Sequence, residues 1–334
     1  MSLSFAILGD GAWGTAVALL LAGRTDHRVA LWSARAENGR ILKDRRENVR
    51  LLPGVPIPQS VLLSTDIAEV VSGADLIIAA IPTVYLRATL KAVAGAVSPS
   101  LPVVSLAKGL EMGTFCRPTV ILEEVLESRR LAVLSGPSHA EEVSRGLPAT
   151  VVAASADPEL ALWIQRCFST DRFRVYTSSD VVGVELAGAL KNIMGIAAGI
   201  ADGLALGDNA KSALLTRSLV EMARFGVALG AAHATFFGLA GLGDLITTCI
   251  SPHGRNRHVG YRLGRGEKLA EILSGMSMVA EGIYTTRSVH AKAAQMGLDM
   301  PITTEVYRVL YEDKDPLTAV SDLMLRDPKH ETSV

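Results

Sequence analysis

Through the first half of the chain, short apolar runs alternate with stretches of helical character. The runs at residues 4–9 (SFAILG), 28–32 (RVALW), 76–81 (LIIAAI), 102–106 (PVVSL) and 131–135 (LAVLS) have strand length. Most are nearly continuous in hydrophobicity rather than alternating, the pattern of strands covered on both faces. Residues 13–22 and 86–96 are helical segments between such runs, and strand–helix alternation implies a parallel, doubly wound sheet. Residues 150–154 and 173–177 read as its last strands. Past residue 178 the pattern changes to long Ala/Leu/Gly-rich segments at 184–206, 210–229, 268–273, 286–295 and 303–310, which predict an all-helical region. Residues 43–59 are charged and then Pro/Gly-rich, and read as a long loop.

The length of 334 residues fits two domains. The expected division is an α/β Rossmann-type N-terminal domain over 1–178 and an all-α C-terminal substrate domain over 179–334. Lys and Arg total 33 against 34 Asp and Glu, a net charge of −1. Such a balance offers no global field for a polyanion and puts a nucleic-acid-binding role well behind, so none is expected. A mean hydropathy of +0.31 raises the question of membrane insertion. Residues 16–23 are too short to span and lack the basic flank of a secretory signal. Residues 186–206 are interrupted by Lys191, Asn192 and Asp202, each costly in lipid. The expectation is a soluble, cytoplasmic protein with no membrane insertion. Three widely spaced cysteines give neither a disulfide framework nor a zinc spacing, and no histidine pattern suggests metal, so none is expected.

The first predicted strand runs directly into Gly9-Asp10-Gly11-Ala12-Trp13-Gly14, with glycines at relative positions 1, 3 and 6. Gly9 permits a tight turn, Gly11 lets the backbone approach a pyrophosphate, and Gly14 lets the helix pack close to the sheet. The diphosphate then meets free N–H groups at a helix start. Alone the pattern is weak and a plain turn is the rival, but between a buried-type strand and a helix it reads as a dinucleotide site. The second strand ends at Trp32 with no carboxylate after it, and Arg35 follows. That arrangement favours NADP(H), with NAD(H) possible. As a plain alternative, Arg35 is a solvated loop cation.

Lys191 and Asn192 lie among small apolar residues of a predicted helix, where an ordinary solvated cation does not fit. Desolvation favours the neutral amine and suits a proton donor or acceptor, although a structural salt bridge remains the rival. Asp244, after Gly241 and Gly243, suits a helix start and a carboxylate partner for that ammonium. Arg255 and Asn256 offer donors for a phosphate, against the rival of an exposed basic turn. Lys108 and the Gly136-Pro137-Ser138 triplet follow two predicted strands, at the sheet edge where ligands of open α/β folds bind.

These motifs together resemble the bacterial biosynthetic type of NAD(P)-dependent glycerol-3-phosphate dehydrogenase. The resemblance runs through GDGAWGTA, LLPGVPIP, SLAKGLE, GPSHAEEV, ELAGALKNIMGIAAGIADGL, GLAGLGDLITTC, RNRHVG, AEGIYTTRSV and MPITTEVYRVLYE, nearly the whole chain. It implies reversible reduction of dihydroxyacetone phosphate to sn-glycerol 3-phosphate, supplying glycerophospholipid synthesis, by a homodimer. By motif, Lys191 is the proton donor to the ketone oxygen. Lys108 meets substrate and nicotinamide, Asp244 and Thr248 orient Lys191 and substrate, and Arg255 with Asn256 holds the phosphate. Asn192, Gly136 and Ser138 fall on the substrate side. Gly9, Gly11, Ala12, Trp13, Gly14, Arg35, Lys108, Ala140, Arg255, Val279 and Glu281 match cofactor-side positions.

Two positions depart from the family pattern: Gly254 stands where a serine usually precedes the RNR element, and Leu51 where a tyrosine often precedes the LPG loop. Two other readings compete. One is a hydroxyacid or ketopantoate-type reductase of the same plan, whose lysine is followed by an asparagine four residues on, whereas Asn192 adjoins Lys191. The other is a non-catalytic NADP-responsive regulator.

Overall fold

The computed structural model describes residues 2–276, 278–328 and 330–331. They form two compact units: residues up to Lys108 with Arg117–Val181, and Gly109–Cys116 with residues from Val182 onward.

The first unit contains β1 (Leu3–Leu8), α1 (Ala12–Ala22), β2 (His27–Trp32), α2 (Ala36–Arg45), β3 (Glu47–Asn48), β4 (Leu52–Pro56) and β5 (Val61–Ser64). It continues with α3 (Ile67–Val71), β6 (Leu76–Ala79), α4 (Thr83–Val93), β7 (Val103–Ser105), α5 (Pro118–Leu126) and β8 (Leu131–Ser135). The last elements are α6 (Ala140–Val143), β9 (Ala149–Ala154), α7 (Pro158–Phe168) and β10 (Phe173–Ser178). Eight strands form one sheet in the order β10-β9-β8-β7-β6-β1-β2-β5. The chain leaves β1 in one direction through β2 and β5, then returns to its other side through β6, so the switch point lies between β1 and β6. All seven strands expected from the sequence are present. Strands β1, β6, β7 and β8 are buried along nearly their whole length, as their unbroken hydrophobicity requires, whereas β2 and β10 alternate, with Arg28, Arg174 and Tyr176 exposed.

Three features depart from the sequence reading. The stretch read as a loop contains an antiparallel hairpin, Glu47 pairing with Pro56 and Asn48 with Leu52. The short run Val61–Ser64 is an edge strand, parallel to β2. Finally, β8 and β9 pair antiparallel, so the sheet is parallel-dominated rather than wholly parallel.

The second unit holds α8 (Val181–Gly203), α9 (Gly207–Ala228), α10 (His233–Phe236), α11 (Asp244–Ile250) and α12 (Arg255–Gly264). Then follow α13 (Leu269–Ser274), α14 (Glu281–Met296), α15 (Pro301–Tyr311) and α16 (Pro316–Met324), with no strand among the described residues. Helix α8 is its centre: every residue from 183 to 201 is buried. Two segments, α8 and residues 233–250, are long and apolar enough to cross a membrane by length and composition. In α8, however, 89% of that stretch is buried inside the protein, the signature of a core helix.

The Gly/Ala content of α8 has a packing cause. A Cβ on Gly199 would come within 2.0 Å of the Arg257 carbonyl oxygen, and one on Gly260 within 2.0 Å of that of Ile196. Helices α8 and α12 therefore pack backbone to backbone. The segment 109–116 joins this unit through Phe115, edge-on to Phe225 at a centroid distance of 6.0 Å. Helix α15 is capped from a distant element: the buried Glu221 carboxylate of α9 accepts from the backbone N–H of Ile302 and of Thr303, each at 2.8 Å. The Thr303 hydroxyl adds a third bond at 2.7 Å. Burial pushes this carboxyl up, and the three donors pull it back.

Glu221→Ala leaves the start of α15 with buried, unsatisfied N–H groups. It is expected to lower the unfolding free energy by about 2–4 kcal/mol in a denaturant titration, with Glu221→Gln losing less. His27 supplies a pH dependence. Its Nδ1 lies 3.0 Å from the Leu21 carbonyl, and burial holds its pKa below the ordinary 6.5. The unfolded chain therefore binds the proton more readily. Its contribution is complete above pH 6.5 and is lost as the pH falls through the lower folded value. Thermal melts between pH 7.5 and 5 should show a shallower decline for His27→Gln than for the unaltered protein.

Candidate active site

In the first unit, the glycine-rich turn sits at the switch point, where ligands of open α/β sheets bind. Gly9 has φ +116°, and a Cβ there would lie 2.7 Å from the Ala80 carbonyl oxygen just past β6. A Cβ on Gly14 would meet the Gly9 carbonyl at 2.0 Å. The fold itself thus demands both glycines. Gly11 differs: a Cβ there would meet no protein atom within 4 Å, so it borders open space at the N-cap of α1. No side chain caps α1, which leaves its first N–H groups for an anion. These observations fit a dinucleotide diphosphate. Ala140 packs with Ala16, Leu52 and Val55, against Ala12 and Trp13. The Trp13 ring lies 6.4 Å from that of Phe173.

At the ends of β7 and β8, Lys108 donates from Nζ to the Gly136 carbonyl at 2.9 Å, and the Ser138 hydroxyl donates to the same oxygen at 2.9 Å. Gly136 has φ +137°, and a Cβ there would lie 2.9 Å from the Val151 Cα, so no other residue suits this turn. The three residues predicted from two separate strand ends thus form one cluster. Arg35 is exposed at the N-cap of α2, and its guanidinium makes no hydrogen bond or ion pair among the described residues.

Sequence reasoning used Asp10 only as a spacer between glycines. Its Oδ2 accepts from the Ser33 hydroxyl at 2.6 Å and from the Asn38 amide at 2.5 Å. Its backbone carbonyl accepts from Asn48 at 2.9 Å. The available signal was an acidic residue inside the glycine motif of a chain whose second strand ends without one.

In the second unit, Lys191 is only 6% exposed. Its Nζ donates to Asp244 Oδ1 at 2.5 Å and to Thr248 Oγ1 at 2.7 Å. A π turn, Leu239–Gly243, delivers Asp244 to the first position of α11, and one helical turn later comes Thr248. Beside them, Asn256 Nδ2 donates to Asn192 Oδ1 at 2.9 Å, while Asn256 Oδ1 accepts the Gly282 N–H at 3.0 Å. Arg255 donates to the Val279 carbonyl at 3.0 Å. Lys191, Asn192, Asp244, Thr248, Arg255, Asn256 and Val279 are thereby linked, with Glu281 adjoining Gly282. Gly254 caps α12, and a Cβ there would come 3.0 Å from the Thr248 carbonyl, so a serine fits only if that turn shifts. Cys249 is inert: burial pushes its thiol up to about 12. Among the described residues no group of three or more His, Cys, Asp or Glu could hold a metal ion.

An open glycine turn on a parallel-dominated sheet, together with a buried, carboxylate-paired lysine on a core helix, defines a nicotinamide-dependent oxidoreductase. Residues 4–161 match the model of the N-terminus of NAD-dependent glycerol-3-phosphate dehydrogenase, and residues 180–321 that of its C-terminus. The chain belongs to this family. It is 48% identical to glycerol-3-phosphate dehydrogenase [NAD(P)+] of Chlorobium phaeobacteroides, covering 98% of this chain and 99% of that one. Identity is also 48% to the enzyme of that name from Moorella thermoacetica, over 99% and 98% of the two chains. The crystal structure of glycerol-3-phosphate dehydrogenase from Coxiella burnetii aligns with a TM-score of 0.93 at 37% identity, covering 97% of this chain and 99% of that chain.

Removing one partner of a buried ion pair leaves the other charge uncompensated. Asp244→Ala is therefore expected to cost about 3–5 kcal/mol of stability by chemical denaturation. Thr248→Val, which leaves the ion pair intact, should cost less.

Proposed function

We propose that the chain catalyses the reversible reduction of dihydroxyacetone phosphate to sn-glycerol 3-phosphate, with NADH or NADPH as reductant. On this reading the first domain (1–178) binds the dinucleotide and the second (179–334) the phosphorylated substrate. The observation that carries it is the Lys191 ammonium, buried and held by Asp244 and Thr248 in a chain of this family.

Gly9, Gly11, Ala12, Trp13 and Gly14 would cradle the diphosphate, with Arg35 toward the adenosine end and Ala140, Val279 and Glu281 completing the cofactor's surroundings. When bound, the nicotinamide supplies the hydride for the carbonyl carbon. As that carbon is reduced, negative charge grows on the carbonyl oxygen. Lys191 donates its proton to that oxygen and takes it back in the reverse direction. Asp244 and Thr248 hold the ammonium in place by hydrogen bonds, so the transition state pays little reorganisation. Lys108, anchored with Ser138 on the Gly136 carbonyl, adds a second positive charge to the substrate's surroundings. Arg255, with Asn256 and Asn192, holds the phosphate, converting remote binding energy into alignment of the reacting carbon. A product of this kind suits a supply of glycerophospholipid backbones in the cytoplasm, by a homodimer.

The decisive assay follows loss of reduced-nicotinamide absorbance with dihydroxyacetone phosphate, for the unaltered protein and Lys191→Ala. The variant should lose about 10²–10⁴-fold in kcat. Full turnover in Lys191→Ala would remove the proposed proton donor. No turnover by the unaltered protein with either cofactor would overturn the reaction.

A further inference from the structure

We infer that Asp10 is a specificity-determining residue, a carboxylate that reads the adenosine ribose in place of the acidic residue missing from the end of β2, and that it opposes binding of the 2′-phosphorylated cofactor. The inference rests on the proposed dinucleotide use and adds which cofactor group is recognised, and by what.

In dinucleotide folds of this kind, a carboxylate at the end of the second strand accepts from the ribose 2′-hydroxyl. A nearby arginine instead accommodates a 2′-phosphate. Here β2 ends at Trp32 and the next residue is Ser33, a hydroxyl. The Ser33 hydroxyl does not stand alone: 2.6 Å away is Asp10 Oδ2, contributed by the glycine turn after β1. The ends of β1 and β2 are adjacent, the Gly9 N–H donating to the Trp32 carbonyl at 3.2 Å. An acidic group therefore reaches the strand end from the neighbouring strand rather than along β2.

Three consequences follow from the bonding. First, Oδ2 is fixed by two donors, Ser33 and Asn38, while Oδ1 has no protein partner among the described residues. A ribose hydroxyl, which can donate, suits that free oxygen. A phosphate, which only accepts at neutral pH, does not. Second, the negative charge of Asp10 repels a 2′-phosphate. Third, the Ser33 hydroxyl and one N–H of the Asn38 amide, donors that would otherwise serve such a phosphate, are spent on Asp10. Arg35, exposed and without a protein partner among the described residues, pulls the other way. Asp10 and Arg35 thus set opposite preferences at the end of one strand, and the cofactor ratio is their difference.

Direct binding tests this without turnover. Calorimetry would compare 5′-AMP with 2′,5′-ADP, and NADH with NADPH, on the unaltered protein and on Asp10→Asn, Asp10→Ala and Arg35→Ala. Asp10→Asn removes the charge; Asp10→Ala also frees Ser33 and Asn38. Both should raise the affinity for NADPH relative to NADH about tenfold or more, Ala beyond Asn, and 2′,5′-ADP should follow NADPH. Arg35→Ala should move the ratio the opposite way. An NADPH-to-NADH affinity ratio unchanged in both folded Asp10 variants, with both cofactors bound, would overturn the inference and leave the dehydrogenase reading standing. Failure of the unaltered protein to bind either cofactor would overturn both.

Discussion

The second unit is organised around one constraint: a positive charge on a helix that has no solvent-facing side. Helix α8 is buried along nearly its whole length, and Lys191 sits at its middle. An ammonium there is tolerable only with a carboxylate and further acceptors in contact, because the solvation lost on burial amounts to several kcal/mol per ion. Asp244 and Thr248 meet that demand from positions 53 and 57 residues further along the chain. A well-packed apolar pair of similar volume would serve stability as well or better. Stability alone therefore does not account for Lys191, and the proposed proton transfer does.

Glycine sets how closely α8 meets its neighbours: a Cβ on Gly195 would lie 2.8 Å from Thr248 Cγ2. With Cβ atoms at Gly199 and Gly260, helices α8 and α12 would be forced apart, since each Cβ would fall on a carbonyl oxygen of the facing helix. The same close approach sets Asn256, on the first turn of α12, against Asn192. Asn256 then receives the Gly282 N–H at the start of α14, where a Cβ would lie 2.5 Å from the Asn192 carbonyl oxygen. The small-residue surface of α8 is thus a helix–helix seam inside the unit. Its side-chain amides are bonded to one another, so Asn192 and Asn256 hold α8, α12 and α14 in register whatever they also offer a phosphate.

Much of this was legible in the sequence, and the reason differs by element. Buried parallel strands declare themselves as continuous apolar runs, and β1, β6, β7 and β8 do so. The hairpin β3–β4 is hidden because Pro53, Gly54 and Pro56 interrupt it, and prolines argue against strands except at edges and bulges. The edge strand β5 follows directly on the Pro/Gly-rich stretch and leaves Leu62 exposed, so it shows neither the clean flanks nor the two-sided burial of the central strands. The antiparallel entry of β9 carries no local signal, since strand direction is decided by the connection through α6. Glu221 was missed for a similar reason: capping residues are sought next to the helix they cap, whereas this one acts 81 residues before its first partner.

Residues within one motif were readable as a set, whereas contacts between motifs were readable only as chemistry. Lys191 and Asp244 could be paired in advance because a buried ammonium needs a carboxylate and Asp244 was the one placed after a glycine-rich turn. Asp10 could not, because the glycine pattern treats its position as unspecified. The rule for cofactor choice looks along β2 alone. That rule is a shortcut for a spatial condition: a carboxylate must stand at the strand end, from whichever strand supplies it. With β1 and β2 in parallel register, Leu8 opposite Trp32, the residue two beyond β1 reaches the same place as the residue one beyond β2. A chain can therefore lack the expected acidic residue in sequence and still possess it in space.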